Sequence, residues 1–226
     1  MKKYFYNFYL IIKNINNYGF ITFFYATIIE IYYLFKFFDF RSYIHDNKNT
    51  STYQETKTKL EYDTQHTPTP YFFLTIASKF INEINYEDFI IVDMGCGYGR
   101  VGKYFISNHN SIFYGLEINK ELIDPLKSYA LKNKNFKVFH VDLRDEKKSN
   151  SIFDEIKKLN KKIIIFFSDP FDINAIIKVL SSFSKSEHVI IGVNVDNLEK
   201  LFLNYKIKHV KYFQNKLRHV VLLEKK

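Results

Sequence analysis

One stretch constrains this chain more than any other: Ile90-Ile91-Val92-Asp93-Met94-Gly95-Cys96-Gly97-Tyr98-Gly99-Arg100. An apolar run of strand type ends on a carboxylate, breaks into glycines at every second position, and leads into a helix start. Glycine lacks Cβ and accepts positive φ, so such a turn lets backbone pass tightly under a ligand. The helix that follows offers unpaired N–H groups to whatever sits there. Asp93, at the strand tip, can accept hydrogen bonds from an amine or a hydroxyl. Strand, glycine turn and helix in this order describe a cradle for a small nucleotide-like molecule.

Downstream, the hydrophobic pattern alternates between two periods. Strands are expected at 89–93, 112–116, 136–141, 162–167 and 188–193, with helices near 99–108, 119–132, 149–160 and 172–184 between them. Ile163-Ile164-Ile165-Phe166-Phe167 is apolar without alternation, as in parallel strands buried on both faces. Repeated βα units imply a doubly wound sheet. The end differs: Ile207–Phe213 and Leu217–Glu224 flank Gln214-Asn215-Lys216 and read as an antiparallel hairpin. The expected fold is α/β, a mostly parallel sheet of seven strands closing on that hairpin.

Residues 1–66 read as an N-terminal helical extension and polar linker, and 67–226 as the main domain. Phe20 to Phe38 is aromatic-rich and almost long enough to cross a bilayer, which needs about 20 apolar residues. Glu30 interrupts it, and a central acid costs roughly 2.5–3.5 kcal/mol on insertion. A helix packed on the main domain is the leading expectation, an interfacial helix the second and a spanning helix the third. Asn47 to Thr69 is polar and ends in Thr67-Pro68-Thr69-Pro70, a loop. Pro70 then opens a helix with Phe72, Phe73, Ile76, Phe80 and Ile81 on one face.

The net charge of +9 invites a nucleic-acid reading, but almost all the cations are lysines. Only Arg41, Arg100, Arg144 and Arg218 could make the bidentate contacts that phosphate and base recognition favour. A solvated lysine surface is the preferred explanation, so nucleic acid is disfavoured as a partner. Cys96 is the sole cysteine, which rules out an internal disulfide and fits a cytoplasmic protein. It reads as an apolar filler in the turn rather than a nucleophile. No His/Cys spacing suggests a metal.

Two cofactor registers fit the glycines. Gly97-x-Gly99-x-x-Gly102 with Glu117 twenty residues after Gly97 matches a dinucleotide fingerprint, but leaves Gly95 without a role. The other register uses Asp93, Gly95, Gly97 and Gly99. In that register Val92 to Arg100 resembles the first motif of class I S-adenosylmethionine-dependent methyltransferases. Tyr114-Gly115-Leu116-Glu117-Ile118 resembles the family's second-strand end, Val141-Asp142-Leu143 its third, and Ser168-Asp169-Pro170-Phe171 its fourth. The terminal hairpin agrees. The resemblance spans about residues 70–226 and implies a Rossmann-like domain binding S-adenosylmethionine and releasing S-adenosylhomocysteine.

It further implies cofactor contacts at Asp93, Gly95, Cys96, Gly97, Gly99, Glu117, Ile118, Asp142, Leu143 and Asp169. Glu117 would take the ribose hydroxyls and Asp142 the adenine amine. Asp169, Pro170 and Phe171 would form the catalytic motif, with Thr69, Tyr71 and Phe171 facing the acceptor. The fourth motif departs from the amino-methyltransferase pattern, which carries two prolines, and is closer to a bacterial group with Asn-Pro-Phe there. Methylation of a protein or small-molecule amine is the leading expectation. An NAD(P)-dependent oxidoreductase and a catalytically inactive, membrane-associated binding module, touching lipid through residues 18–38, are the alternatives.

Overall fold

The structure is a computed structural model and describes residues 19–38, 68–168, 173–195, 198–213 and 218–226. The expected catalytic motif, Asp169-Pro170-Phe171, lies outside the described residues. Helix α1 (Phe20–Phe37) is followed by α2 (Tyr71–Glu83) and then by the alternating units. These are β1 (Asp88–Met94), α3 (Arg100–Asn108), β2 (Asn110–Glu117), α4 (Lys120–Lys132), β3 (Phe136–His140), α5 (Glu146–Lys158), β4 (Lys162–Ser168), α6 (Ile173–Ser182) and β5 (His188–Val193). A short 3-10 turn, Leu198–Leu201, precedes β6 (Tyr205–Tyr212) and β7 (His219–Lys225).

The seven strands lie in the order β3-β2-β1-β4-β5-β7-β6. Pairs from β3 through β5 are parallel, while β7 is antiparallel to both β5 and β6. The last strand therefore inserts between the fifth and the sixth. A strand entering through a tight hairpin must run opposite to its predecessor, whereas each helical crossover returns the chain parallel. Strand parity divides the core. Phe89 and Ile91 point to a cluster with α2, α3 and α4; Ile90, Val92 and Met94 point to one with α5 and α6.

Pro70 sits at the N-cap of α2, one position before the helix rather than in its first turn. Two helix starts are held by the expected residue types: Asn119 accepts from the Glu121 N–H, and Asp145 from Lys148 N–H. Asp145, not Asp142, thus caps α5. Helix α3 crosses β2 at Gly102, where a Cβ would lie 2.5 Å from the ring of buried Phe113. Gly102→Ala should therefore destabilise by about 1–3 kcal/mol through overpacking, despite alanine's better helix propensity. Thermal melting of the variant measures this, and an unchanged midpoint would show that the ring yields freely.

Helix α1 packs on the domain. Ala26, Ile29, Tyr33, Leu34 and Phe37 lie against the cluster built by α2 and α3, and Tyr33 stacks on Tyr71 with ring centroids 5.1 Å apart. Glu30 points the same way, and its contacts belong to the site below.

Candidate functional site

At the carboxyl ends of β1 and β2, the sheet opens under the glycine turn. Gly95, Gly97 and Gly99 have φ of 86°, 50° and 68°. All three lie in the left-handed region that side chains disfavour, so Gly95 has a backbone role. The turn is tied to β2: the Gly95 and Cys96 N–H groups both donate to the Leu116 carbonyl, at 2.8 and 3.0 Å. Gly99 is the N-cap of α3, and no side chain caps that helix. Its first N–H groups face the turn, which favours a carboxylate or phosphate there.

Glu117 ends β2 and braces the turn directly. Its Oε2 accepts from the Gly97 N–H at 2.9 Å, and its Oε1 from the Asn119 N–H at 2.9 Å. A carboxylate has about four lone-pair sites, so each oxygen keeps capacity for one further donor. Such a pair suits vicinal hydroxyls. Ile118, the next residue, holds its apolar side chain in solvent at the same edge, 47% exposed.

Asp93 lies beneath the turn, 3% exposed, and its Oδ2 is buried without a hydrogen-bond partner. Burial raises its pKa well above the usual carboxylate range, and neighbouring Glu117 adds to the shift. An orphaned buried carboxyl oxygen is costly unless a ligand donates to it. The folded state holds this proton more tightly than the unfolded chain. Its contribution to stability is complete below the ordinary carboxylate range and is lost as pH rises through the raised value. Asp93→Asn should therefore flatten the decline of melting temperature on going from acidic to alkaline pH. Parallel curves for the two proteins would contradict this.

Cys96 is buried, and burial followed by the Asp93 and Glu117 charges drives its thiol far above the ordinary range. It is an inert filler, not a nucleophile. Asp142 stands just past β3, and Arg144 clasps its carboxylate in a fork, with Nε 2.9 Å from Oδ1 and Nη2 2.6 Å from Oδ2. That clasp holds its pKa below the ordinary carboxylate range. Leu143, beside it, packs against the α5 and α6 cluster. Among the described residues, no group of three or more His, Cys, Asp or Glu side chains is placed to hold a metal ion.

The segment before α2 is knotted to α1 and α3 through one cluster. Arg100, the first residue of α3, places Nη1 2.5 Å from Glu30 Oε1 and 3.2 Å from the Thr69 carbonyl. Its guanidinium lies 4.5 Å over the Tyr71 ring. Glu30 Oε2 in turn accepts from the Tyr71 N–H at 2.7 Å, so it caps α2 from another helix. Thr69 and Tyr71 are both buried in this cluster. The sequence carried a signal for it: a single acid in an apolar helix requires a cation, and few arginines were on offer.

The mixed strand order, with the hairpin strand inserted next to β5, decides the architecture. The chain has the class I methyltransferase fold. No protein-family model and no curated protein matches the sequence. Solved structures do. A mutant of MtNAS in complex with S-adenosylmethionine superposes with a TM-score of 0.52 at 11% identity, over 88% of this chain and 77% of that one. The Escherichia coli protein yhhF, assigned as a methyltransferase, gives 0.51 at 13% identity, over 71% and 87%. An rRNA methylase from Streptococcus thermophilus gives 0.49 at 12% identity, over 71% and 98%. At these identities the two superpositions with TM-scores above 0.5 establish the fold alone.

Proposed function

We propose that this methyltransferase-fold chain binds S-adenosylmethionine and transfers its methyl group to an amine of a protein or a small molecule. The buried, unpartnered Asp93 oxygen beneath three left-handed glycines carries the reading, because it calls for a donor at the place where the turn admits a ligand. When bound, the cofactor supplies an electrophilic methyl group on a sulfonium.

In this reading Asp93 accepts from the ammonium of the methionine portion, directly or through water, and gives up its own proton. The open N-terminus of α3 faces the methionine carboxylate. Glu117 receives the ribose hydroxyls on the lone pairs that the Gly97 and Asn119 N–H groups leave. Ile118 packs on the adenine face, with Leu143 on the same side. Asp142 takes the adenine amine, which requires Arg144 to share its fork. Asp169, Pro170 and Phe171 follow β4 directly in sequence, the position at which the fourth motif of the resembled family lines its acceptor site. There the Asp169 carboxylate accepts from the acceptor amine and aims its lone pair, and Phe171 excludes water. Orientation of this kind supplies much of the rate enhancement in a displacement.

The dinucleotide register retains one supporting observation, since Gly102 gives the close helix–strand contact that the third glycine of that fingerprint provides. Ligand titration separates the two readings. S-adenosylhomocysteine should raise the melting temperature while NADH and NADPH leave it unchanged; the opposite pattern overturns the proposal. The acceptor class follows from tritiated-methyl transfer to fractionated lysate, and the +9 charge keeps RNA in that panel beside protein, lipid and small molecules. Asp169→Ala should abolish transfer while sparing S-adenosylhomocysteine binding. Undiminished transfer would remove Asp169 from the mechanism.

A further inference from the structure

We infer that the outward face of α1 seats this protein in the plane of an anionic lipid surface. The helix has two faces of different fate. The inner one packs on the domain and holds Glu30 against Arg100. The outer one presents Phe20, Ile21, Phe24, Ile28, Ile31 and Tyr32 to solvent, with Ile21 83% and Ile28 65% exposed. Ile21, Phe24, Ile28 and Ile31 recur at steps of three and four residues, so they form one continuous stripe. From Ile21 to Ile31 the stripe runs about 15 Å along the helix. Contiguous apolar surface of this kind marks an interaction site.

Charge selects the occupant. Residues 1–38 contain Lys2, Lys3, Lys13 and Lys36 against one acid, Glu30. That acid is consumed internally by Arg100, so within the helix the charge left to face a lipid surface is the positive one of Lys36. Lys36 stands on the exposed side near the helix end. An apolar stripe with a tyrosine and a lysine at its margin, on a chain of net charge +9, is the pattern of helices that lie in the headgroup region of anionic bilayers.

The docked inner face also fixes the orientation. By length and composition α1 could cross a membrane. To do so it would have to withdraw Glu30 from Arg100 and from the Tyr71 N–H, and strip Ala26, Ile29 and Tyr33 from the core. Held by those contacts, it meets lipid side-on.

Flotation of the full chain with liposomes tests the inference without reference to catalysis. Vesicles of phosphatidylcholine with about one-third phosphatidylserine should bind the protein at least about ten-fold more strongly than phosphatidylcholine alone, and high salt should reduce that margin. The double variant Ile21→Gln, Ile28→Gln should lose vesicle binding by about ten-fold or more while keeping its melting temperature, because both side chains are exposed. The chain has no tryptophan, so Tyr32→Trp places a single indole on the stripe, and its emission should shift to the blue on adding the mixed vesicles. No wild-type flotation, undiminished binding of the double variant, or an unshifted indole would each overturn the inference. So would a wild-type dimer that the double variant converts to monomer with no effect on lipid, since the stripe would then be an interface between copies. Protection of the stripe by residues 1–18 would appear as an unshifted indole and would count the same way.

Discussion

Glu117→Ala is expected to weaken S-adenosylhomocysteine binding by at least about a hundred-fold, because two effects of one carboxylate disappear together. Each hydrogen bond from a ribose hydroxyl to a charged acceptor contributes about 1.5–3 kcal/mol, and 1.4 kcal/mol is ten-fold in affinity. The same substitution leaves the Gly97 and Asn119 N–H groups without the acceptors that hold them at 2.9 Å. The turn then loses its brace as well as its ligand contact. Glu117→Gln should fall almost as far: an amide has one acceptor oxygen, and its NH2 would oppose one of those two backbone donors. Titration calorimetry of both variants measures the effect. Unchanged affinity in Glu117→Ala would move the nucleoside away from the end of β2.

The second large effect is one of stability. Glu30 and Arg100 form an ion pair whose side chains are 16% and 4% exposed. Removing one partner of a buried pair costs about 3–5 kcal/mol, because the other charge is left without compensation. Glu30→Ala removes the carboxylate paired with the Arg100 guanidinium and uncaps α2 at Tyr71. For a chain of this size each kcal/mol is worth about 2–4 °C, so a fall of roughly 10 °C in melting temperature is expected. Replacing both partners with apolar residues should cost less than the sum of the single changes, since no charge is then stranded. Additive losses in the Glu30→Ala, Arg100→Leu cycle would show that the two residues act separately.

What was legible in advance follows from how local each signal is. Strands such as Ile163–Phe167 announce themselves by uninterrupted apolar residues, and the boundaries at β4 and β5 fell within a residue of those expected. Asp93, the glycines and Glu117 were readable because they stand at strand ends, where topology alone gathers them. Partners distant in sequence were harder. The link from Glu30 to Arg100 spans 70 residues, and no local periodicity encodes it. The Arg144 fork on Asp142 needs only two residues of separation, yet it depends on the turn that follows β3. The brace from Glu117 to Gly97 spans 20 residues, and a strand-end acid carries no local sign that one of its oxygens serves the protein's own backbone.

The placement of Cys96 gives the chain a built-in clock. It is the sole sulfhydryl in 226 residues, it is buried in the glycine turn, and its acidity is suppressed by burial and two nearby carboxylates. A thiol reagent can reach it only when the turn lifts from β2. The rate of labelling therefore counts those openings directly, with no second thiol to confuse the signal. A ligand that clamps the turn would stop the clock, whichever nucleotide it proved to be.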